Sequence, residues 1–282
     1  MTKKPKSAGR SASEREKPDT PPPTRKIDRV LNCLPSKKTE NDWTIANLGD
    51  DAVSLATPLP KKVDLRADWW GIGDQKDTGS CVGWAAADAV LRWHFVETGR
   101  IGRNERLSPR YIWMASKEMD DDLSYPTSFI ELSGTYLKSA LDVARKYGCV
   151  LEDVLPFAGD KLYPGEVKDF YALASNLKIA KYVNLGTNPT TWRTWIARQG
   201  PVLTRLVCDA TWMDASATGG VLAEYDPKTA YGGHAVALVG YDETGFIVRN
   251  SWGIDTWGDK GFGYASRAYA QAAFTEAYGV GL

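Results

Sequence analysis

The sequence has no long apolar run, no excess charge of either sign and no paired cysteines, and each absence argues against a class of function. None of its apolar runs approaches the roughly 20 residues that span a bilayer. Its 35 basic and 35 acidic residues give a formal net charge of zero, which leaves no global attraction for nucleic acid or an anionic membrane. The cysteines at positions 33, 81, 149 and 208 are isolated, so no CxxC pair indicates a zinc or redox site. We expect no metal, no cofactor, and reduced thiols of which three are packing residues.

The amino-terminal region divides into two segments by composition. Residues 1–27 are rich in Lys, Arg, Ser and Pro and contain no aromatic residue, which predicts a disordered basic tail. Residues 28–62 mix apolar and turn residues and are predicted to form an extension that packs on or near the main domain at 63–282. No apolar stretch follows the first basic residues, so we expect no secretory signal and a cytoplasmic location, with non-classical export as an effector left open.

The pattern of elements changes along the chain. Helical spacing predicts helices from Cys81 to about Thr98, from Pro109 to about Met119 and from Gly134 to about Tyr147. After residue 178, β-branched apolar runs punctuated by Gly and Pro predict strands, in the stretches PVLTRLVC, HAVALVGYD and GFIVRNSW. Helices followed by strands indicate an α+β protein with two lobes.

Three separated stretches carry side chains suited to thiol-based acyl transfer: QKDTGSC at 75–81, GGHAV at 232–236 and NSWG at 250–253. Cys81 begins the first predicted helix, where the dipole and free N–H groups favour a thiolate, so it is the candidate nucleophile. His234 is the candidate base. His94, the only other histidine, lies about 20 Å along the helix of Cys81 and cannot reach the sulfur.

Two amides complete the candidate site. Asn250 is expected to orient the imidazole of His234 without adding a charge that opposes the thiolate. Gln75 is expected to donate its amide N–H, together with the backbone N–H of Cys81, to the oxyanion of a tetrahedral intermediate. Trp252 is expected to cover the contact between His234 and Asn250 from water. Singly, each residue is as well explained as a packing or turn residue; the combination indicates catalysis.

These motifs resemble those of the papain family of cysteine peptidases, and the likeness extends from about residue 63 to the end of the chain. The resemblance implies a two-lobed papain-like fold, with a helical lobe carrying the Cys81 helix and a β-barrel-like lobe carrying His234 and Asn250. It also implies a protein or peptide substrate in the cleft between the lobes. The expected substrate-binding residues are Gly134, Gly233 and Trp252.

The chain also departs from the family pattern. Val82 and Gly83 stand between the nucleophile and Trp84, and Thr78 occupies the place of a cysteine that commonly forms a disulfide. The stretch before residue 63 is shorter than the usual inhibitory propeptide. These traits are similar to those of divergent microbial members of the family.

Three functions fit these residues. The first is a cysteine endopeptidase acting through a Cys81 acyl-enzyme. The second is an acyltransferase, deamidase or amidase with the same triad, and the third is a catalytically silent papain-like binding scaffold. Residues 28–62 either cover the cleft or brace the domain. Side-chain specificity, oligomeric state and host stay open.

Overall fold

The structure is a computed structural model that describes residues 29–48, 58–120, 130–159 and 163–282. The predicted tail at 1–27 lies outside the described residues, as do positions 28 and 49–57 of the extension. Within the described ranges, no helix is long and apolar enough to cross a membrane. The same ranges contain no cluster of three or more His, Cys, Asp or Glu side chains able to hold a metal ion.

The helices are short and lie in both halves of the chain. They span Cys81–Gly83 (α1), Arg92–Glu97 (α2), Pro109–Met119 (α3), Leu137–Lys146 (α4), Val167–Ser175 (α5), Pro189–Arg198 (α6), Ala210–Met213 (α7) and Arg267–Ala273 (α8). Single 3-10 turns are formed by Thr39–Asn41, Ile45–Asn47, Ile130–Leu132 and Pro227–Thr229.

A π-helical stretch, Trp84–Leu91, joins α1 to α2, so the helix predicted to begin at Cys81 runs continuously to Glu97. The N–H of Arg92 still donates to the carbonyl of Ala87, five residues earlier. The start of this continuous helix packs closely on α3. A Cβ at Gly83 would overlap the carbonyl of Pro109, so glycine at that position permits the contact.

The strands form one sheet. They span Val63–Asp64 (β1), Lys181–Asn184 (β2), Val202–Cys208 (β3), Val221–Leu222 (β4), Gly232–Tyr241 (β5), Gly245–Arg249 (β6), Phe262–Ser266 (β7) and Phe274–Gly281 (β8). The order is β2-β8-β3-β5-β6-β7-β4, with β1 paired to β5. The pairs are antiparallel except for β4 with β7.

Strand β5 separates two apolar cores, because successive side chains point to opposite faces of a sheet. Ala235, Ala237 and Val239 join the core that contains the helices α1 to α4. Val236 and Leu238 join a second core, formed with residues of α6, α7 and α8. The predicted α+β class with two lobes is therefore confirmed.

The helices and strands predicted from local pattern are present in the structure, but helices α5 to α8 were not predicted. The helix expected from Pro109 to about Met119 has those bounds, and the three predicted strands correspond to β3, β5 and β6. Helices α6 and α8, however, interrupt the half of the chain that was expected to form strands. The sequence signals for the start of α6 were present. Asn188 caps the helix by accepting from the N–H of Thr190 at 2.9 Å, and Pro189 is its first residue.

Residues 29–48 of the extension run between the two lobes. The N–H of Cys33 donates to the carbonyl of Gly233 in β5 at 2.9 Å. The N–H of Leu34 donates to the carbonyl of Thr135, just ahead of α4, at 3.1 Å. The extension therefore lies along the line where the helical lobe meets the sheet lobe.

Candidate active site

Cys81 is the first residue of α1 and is fully buried. The first N–H groups of a helix lack intrahelical partners and favour negative charge, which places the sulfur in an anion-stabilising position. The entry to this helix is tight. A Cβ at Gly79 would come within 2.7 Å of the carbonyl oxygen of Leu132, so a glycine lets residues 132 and 133 pack closely against this entry.

His234 stands near the start of β5, and its two ring nitrogens have different environments. Nε2 lies 2.7 Å from Oδ1 of Asn250. Because an amide oxygen only accepts, Nε2 carries the proton and Nδ1 of the neutral ring is free to accept. Nδ1 has no hydrogen-bond partner among the described residues, and the ring interacts electrostatically with the sulfur of Cys81 and lowers its pKa. The arrangement can move a proton from sulfur to imidazole.

The surroundings of Cys81 favour its ionised form. A hydrogen bond from the thiol of Cys33 is the largest influence and lowers the pKa of Cys81. Burial acts in the opposite direction. The hydrogen bond and charge of His234, with a backbone hydrogen bond from Ala235, lower it further. The pKa of the thiol therefore lies well below its usual value.

Asn250 and Gln75 are held by one residue between their loops. Oδ1 of Asn250 also accepts from the N–H of Ser251 at 2.8 Å. The Ser251 hydroxyl donates to Oε1 of Gln75 at 2.9 Å, and the N–H of Gln75 donates to the Ser251 carbonyl at 2.8 Å. Nε2 of Gln75 donates one N–H to the carbonyl of Thr78 at 3.0 Å. Since a primary amide has two such hydrogens, the other is left for an oxyanion.

Two tryptophans flank the imidazole of His234, and a third packs behind them. The ring centroid of His234 lies 5.0 Å from that of Trp252 and 5.6 Å from that of Trp212. Trp257 packs on Trp212 at 4.3 Å. All three side chains are buried, so the hydrogen bond to Asn250 lies in a dry environment, where such bonds are stronger.

The extension covers this site, which is one of the two roles that the sequence left open. The Cys33 thiol lies in the same buried cluster as Cys81 and influences its pKa, and its S–H donates to the carbonyl of Leu34 at 3.9 Å. Arg29 lies over the ring of Trp252 at 5.6 Å and donates to the Trp252 carbonyl at 3.1 Å. Arg29 also pairs with Asp74 at 2.8 Å. The sequence predicts a packing role for Cys33, because nothing in the adjoining residues distinguishes it from a packing cysteine.

The two glycines predicted to bind substrate lie directly against the extension. A Cβ at Gly134 would overlap the carbonyl oxygen of Asn32, and one at Gly233 would overlap the carbonyl oxygen of Cys33. These glycines therefore let a peptide backbone approach closely on both sides of the cleft. In the structure that peptide is the protein's own extension.

Comparisons with known proteins give a consistent result. The family model "Papain family cysteine protease" matches residues 59–279. Cysteine proteinase B of Leishmania mexicana is 33% identical over 119 residues, which cover 39% of this chain and 25% of that protein. Cathepsin J of Mus musculus is 28% identical over 220 residues, covering 72% of this chain and 59% of that protein. The matched part of the chain is thus well short of the full length of these curated relatives.

Solved structures resemble this one over most of the chain. Xylellain, a cysteine protease from Xylella fastidiosa, superposes with a TM-score of 0.74 at 21% identity and covers 91% of this chain and 97% of its own. The procathepsin B S9 of Trypanosoma congolense gives a TM-score of 0.68 at 15% identity, covering 90% and 86%. At these identities the likeness establishes the fold.

Proposed function

The chain belongs to the papain family of cysteine proteases, and from this premise we propose that it is a cysteine endopeptidase. Membership rests on the family model that matches residues 59–279. It confirms the resemblance inferred from the motifs, and the solved relatives confirm the two-lobed papain-like fold. The observation that carries the proposed activity is local. The imidazole of His234 lowers the pKa of the Cys81 thiol, and the far nitrogen of that ring lies 2.7 Å from Oδ1 of Asn250.

The proposed reaction begins with attack of the Cys81 thiolate on a peptide carbonyl. The oxyanion formed is stabilised by the backbone N–H of Cys81 and the second amide N–H of Gln75. Removing one donor of this kind typically raises the barrier by about 3 kcal/mol. His234, as imidazolium, protonates the leaving amine, and then as a neutral base activates the water that releases the acyl group. Asn250 holds the ring in the required tautomer.

Catalysis in this scheme requires the extension to leave the cleft. Cys81 is completely inaccessible to solvent in the structure, and the backbone of residues 32–34 occupies the groove beside Gly134 and Gly233. A substrate carbonyl has no path to the sulfur while this segment is bound. The structure thus favours a covering role for the extension over a purely bracing one, and we propose that the covered form is latent.

Covalent labelling tests the proposal. A peptidyl epoxide should modify Cys81, the label should be absent in Cys81→Ala, and it should fall strongly in His234→Ala. A variant lacking residues 1–57 should be labelled faster than the full chain and should hydrolyse unstructured peptides. Peptide mapping and a peptide-library digest give the two measurements.

The outcomes separate the three candidate functions. Labelling with peptide cleavage supports the endopeptidase. Labelling with release of ammonia or of a ligated product, and no cleavage, would replace it by a deamidase or transpeptidase. A folded, truncated protein that takes no label would indicate a silent scaffold and refute the proposal.

A further inference from the structure

Cys33 is held in the cleft by hydrogen bonds on both sides of its backbone. Its N–H donates to the carbonyl of Gly233 at 2.9 Å, and its carbonyl accepts from Nε of Arg205 at 2.9 Å. The next residue, Leu34, is bonded to Thr135 of the other lobe at 3.1 Å. With its main chain fixed in this way, the side chain has little freedom of position.

The fixed side chain lies beside the nucleophile. Cys33 is 1% exposed and Cys81 is 0% exposed, both belong to one buried cluster, and each thiol shifts the pKa of the other. None of the four cysteines is in a disulfide. Two neighbouring buried thiols, one on the extension and one on the helix it covers, are placed for a covalent bond that no feature of peptide hydrolysis requires.

The two thiols differ in ionisation. Burial raises the pKa of the Cys33 thiol well above its usual value, and its hydrogen bond to Cys81 raises it further. The pKa of Cys81 is shifted the other way. The negative charge therefore resides on Cys81, which makes this sulfur the one that attacks an electrophilic oxidant.

We infer that Cys33 is a resolving cysteine for Cys81, and that hydrogen peroxide converts the pair into a disulfide that fastens the extension in the cleft. The inference rests on the proposed function only in taking Cys81 as the reactive nucleophile. The product is a latent protein that a thiol reductant reopens.

The chemistry balances in two steps. The Cys81 thiolate attacks one oxygen of hydrogen peroxide, the O–O bond breaks, and Cys81 sulfenic acid and hydroxide form. The Cys33 sulfur then attacks the Cys81 sulfur and displaces its hydroxyl group, while the Cys33 proton passes to that leaving oxygen, by way of His234, to give water. The hydroxide from the first step becomes water by taking the proton that His234 had accepted from the Cys81 thiol. Overall, each sulfur is oxidised by one electron and one peroxide is reduced to two waters.

Contact with Cys33 also decides the fate of an oxidised nucleophile. A sulfenic acid that meets a second peroxide becomes a sulfinic acid, which is in general irreversible, whereas one that meets a thiol becomes a reducible disulfide. Because Cys33 is already adjacent, the second course needs no diffusion and is expected to be faster. The same residue would thus protect the nucleophile and hold the enzyme shut under oxidising conditions.

Mass spectrometry of the full-length chain tests the inference. Reduced protein is treated with a small excess of hydrogen peroxide, and the remaining thiols are alkylated under denaturing conditions. Before alkylation the oxidised chain should be lighter by about 2 Da, and digestion should yield a peptide pair joined through Cys33 and Cys81. Dithiothreitol should remove the cross-link and restore labelling of Cys81.

Cys33→Ser is the decisive variant and Cys149→Ala is its matched control. In Cys33→Ser the loss of about 2 Da should disappear, and Cys81 should instead gain about 32 Da as sulfinic acid that dithiothreitol does not reverse. Cys149, a fully buried cysteine that follows α4, is outside the cleft, so its replacement by Ala should leave the cross-link in place. Folding of each variant is checked by its thermal transition.

Three results would overturn the inference: over-oxidation of wild-type Cys81 without a Cys33 link, a cross-link to Cys208 instead, or no change in mass. The mass readout does not need turnover, so it is separate from the test of the proposed function. Cleavage of peptides by the reduced protein without a cross-link refutes only this inference. A cross-link in a protein that neither takes an epoxide label nor cleaves peptides refutes only the peptidase.

Discussion

Replacing Asp88 by Asn is expected to lower the free energy of unfolding by about 3–5 kcal/mol, because it leaves buried guanidinium groups without their counterion. The side chain of Asp88 is 1% exposed. Its Oδ2 lies 3.0 Å from Nη2 of Arg249, while its Oδ1 lies 2.6 Å from Nη2 of Arg106 and 3.5 Å from Nη1 of Arg92. Arg249 and Arg92 are themselves only 2% and 4% exposed.

The magnitude follows from burial. Asn has nearly the volume of Asp, so the change creates no cavity, and its cost is that of positive charges left in a poorly solvated site. For a chain of this size each kcal/mol lowers the melting temperature by about 2–4 °C, which gives a decrease of about 6–20 °C. Arg249 directly precedes Asn250, and Asp88 lies on the helix that begins at Cys81. Loss of the ion pair should therefore also slow epoxide labelling of Cys81.

Denaturant unfolding at neutral pH measures the effect, with Asp64→Asn as the control. Asp64 pairs with Arg66 at 2.7 Å, but these side chains are 28% and 32% exposed, so the control should lose less than about 1 kcal/mol. If Asp88→Asn loses no more than the control does, the ion pairs of Asp88 do not stabilise this core and the reasoning fails.

The same group makes a contribution that depends on pH. Burial alone would raise the pKa of Asp88, but the charges of Arg249, Arg106 and Arg92 outweigh it and hold the pKa below its usual value. Since the unfolded carboxyl titrates at about pH 3.9, the stabilisation is complete above that pH and is lost as the pH falls through the lower folded pKa. Wild type and Asp88→Asn should therefore converge in stability in strong acid.

Three further predictions concern other described residues. Burial lowers the pKa of His94 to about 4, so protonation of this ring favours the unfolded chain. The free energy of unfolding of the wild type should fall by about 2 kcal/mol between about pH 7.5 and pH 5. Denaturant unfolding of His94→Gln should not show this decrease. Asn250→Ala strands a buried imidazole N–H, so peptide hydrolysis by the truncated protein should fall by about 10- to 100-fold in kcat/KM. Gly134→Ala places a methyl group against the Asn32 carbonyl of the extension, whereas a Cβ at Gly71 meets nothing within 4 Å. Iodoacetamide should therefore alkylate Cys81 faster in Gly134→Ala than in the wild type. In the control Gly71→Ala the rate of alkylation should equal that of the wild type.

Each of these has a contrary result. Equal pH dependence in His94→Gln would show that its ring is not the group that titrates. An Asn250→Ala variant with unchanged kcat/KM would remove the orienting role. Alkylation that is no faster in Gly134→Ala than in Gly71→Ala would show that the extension tolerates the methyl group.

Local pattern was sufficient for the parts of the molecule whose signals lie within a few residues of each other. The helix that starts at Cys81, the helix of residues 109–119 and the strand through His234 each have their own spacing, caps or alternation. The motif around Asn250 was equally readable. Helix α6 had a cap and a proline in its first turn, and it was missed because apolar β-branched runs around it were given more weight.

The sequence alone determined the family, the α+β class and the candidate site residues, because residue type and short-range spacing suffice to specify a helix start, a strand and the chemistry of a side chain. Only the tertiary structure decided that Cys33 lies on Cys81 and that Asp88 meets Arg249. These partners are separated by 48 and 161 positions, and contacts over such distances depend on how the lobes pack. The thiol that covers the nucleophile therefore has no local signal, because it is the path of the whole chain that brings the two sulfurs together.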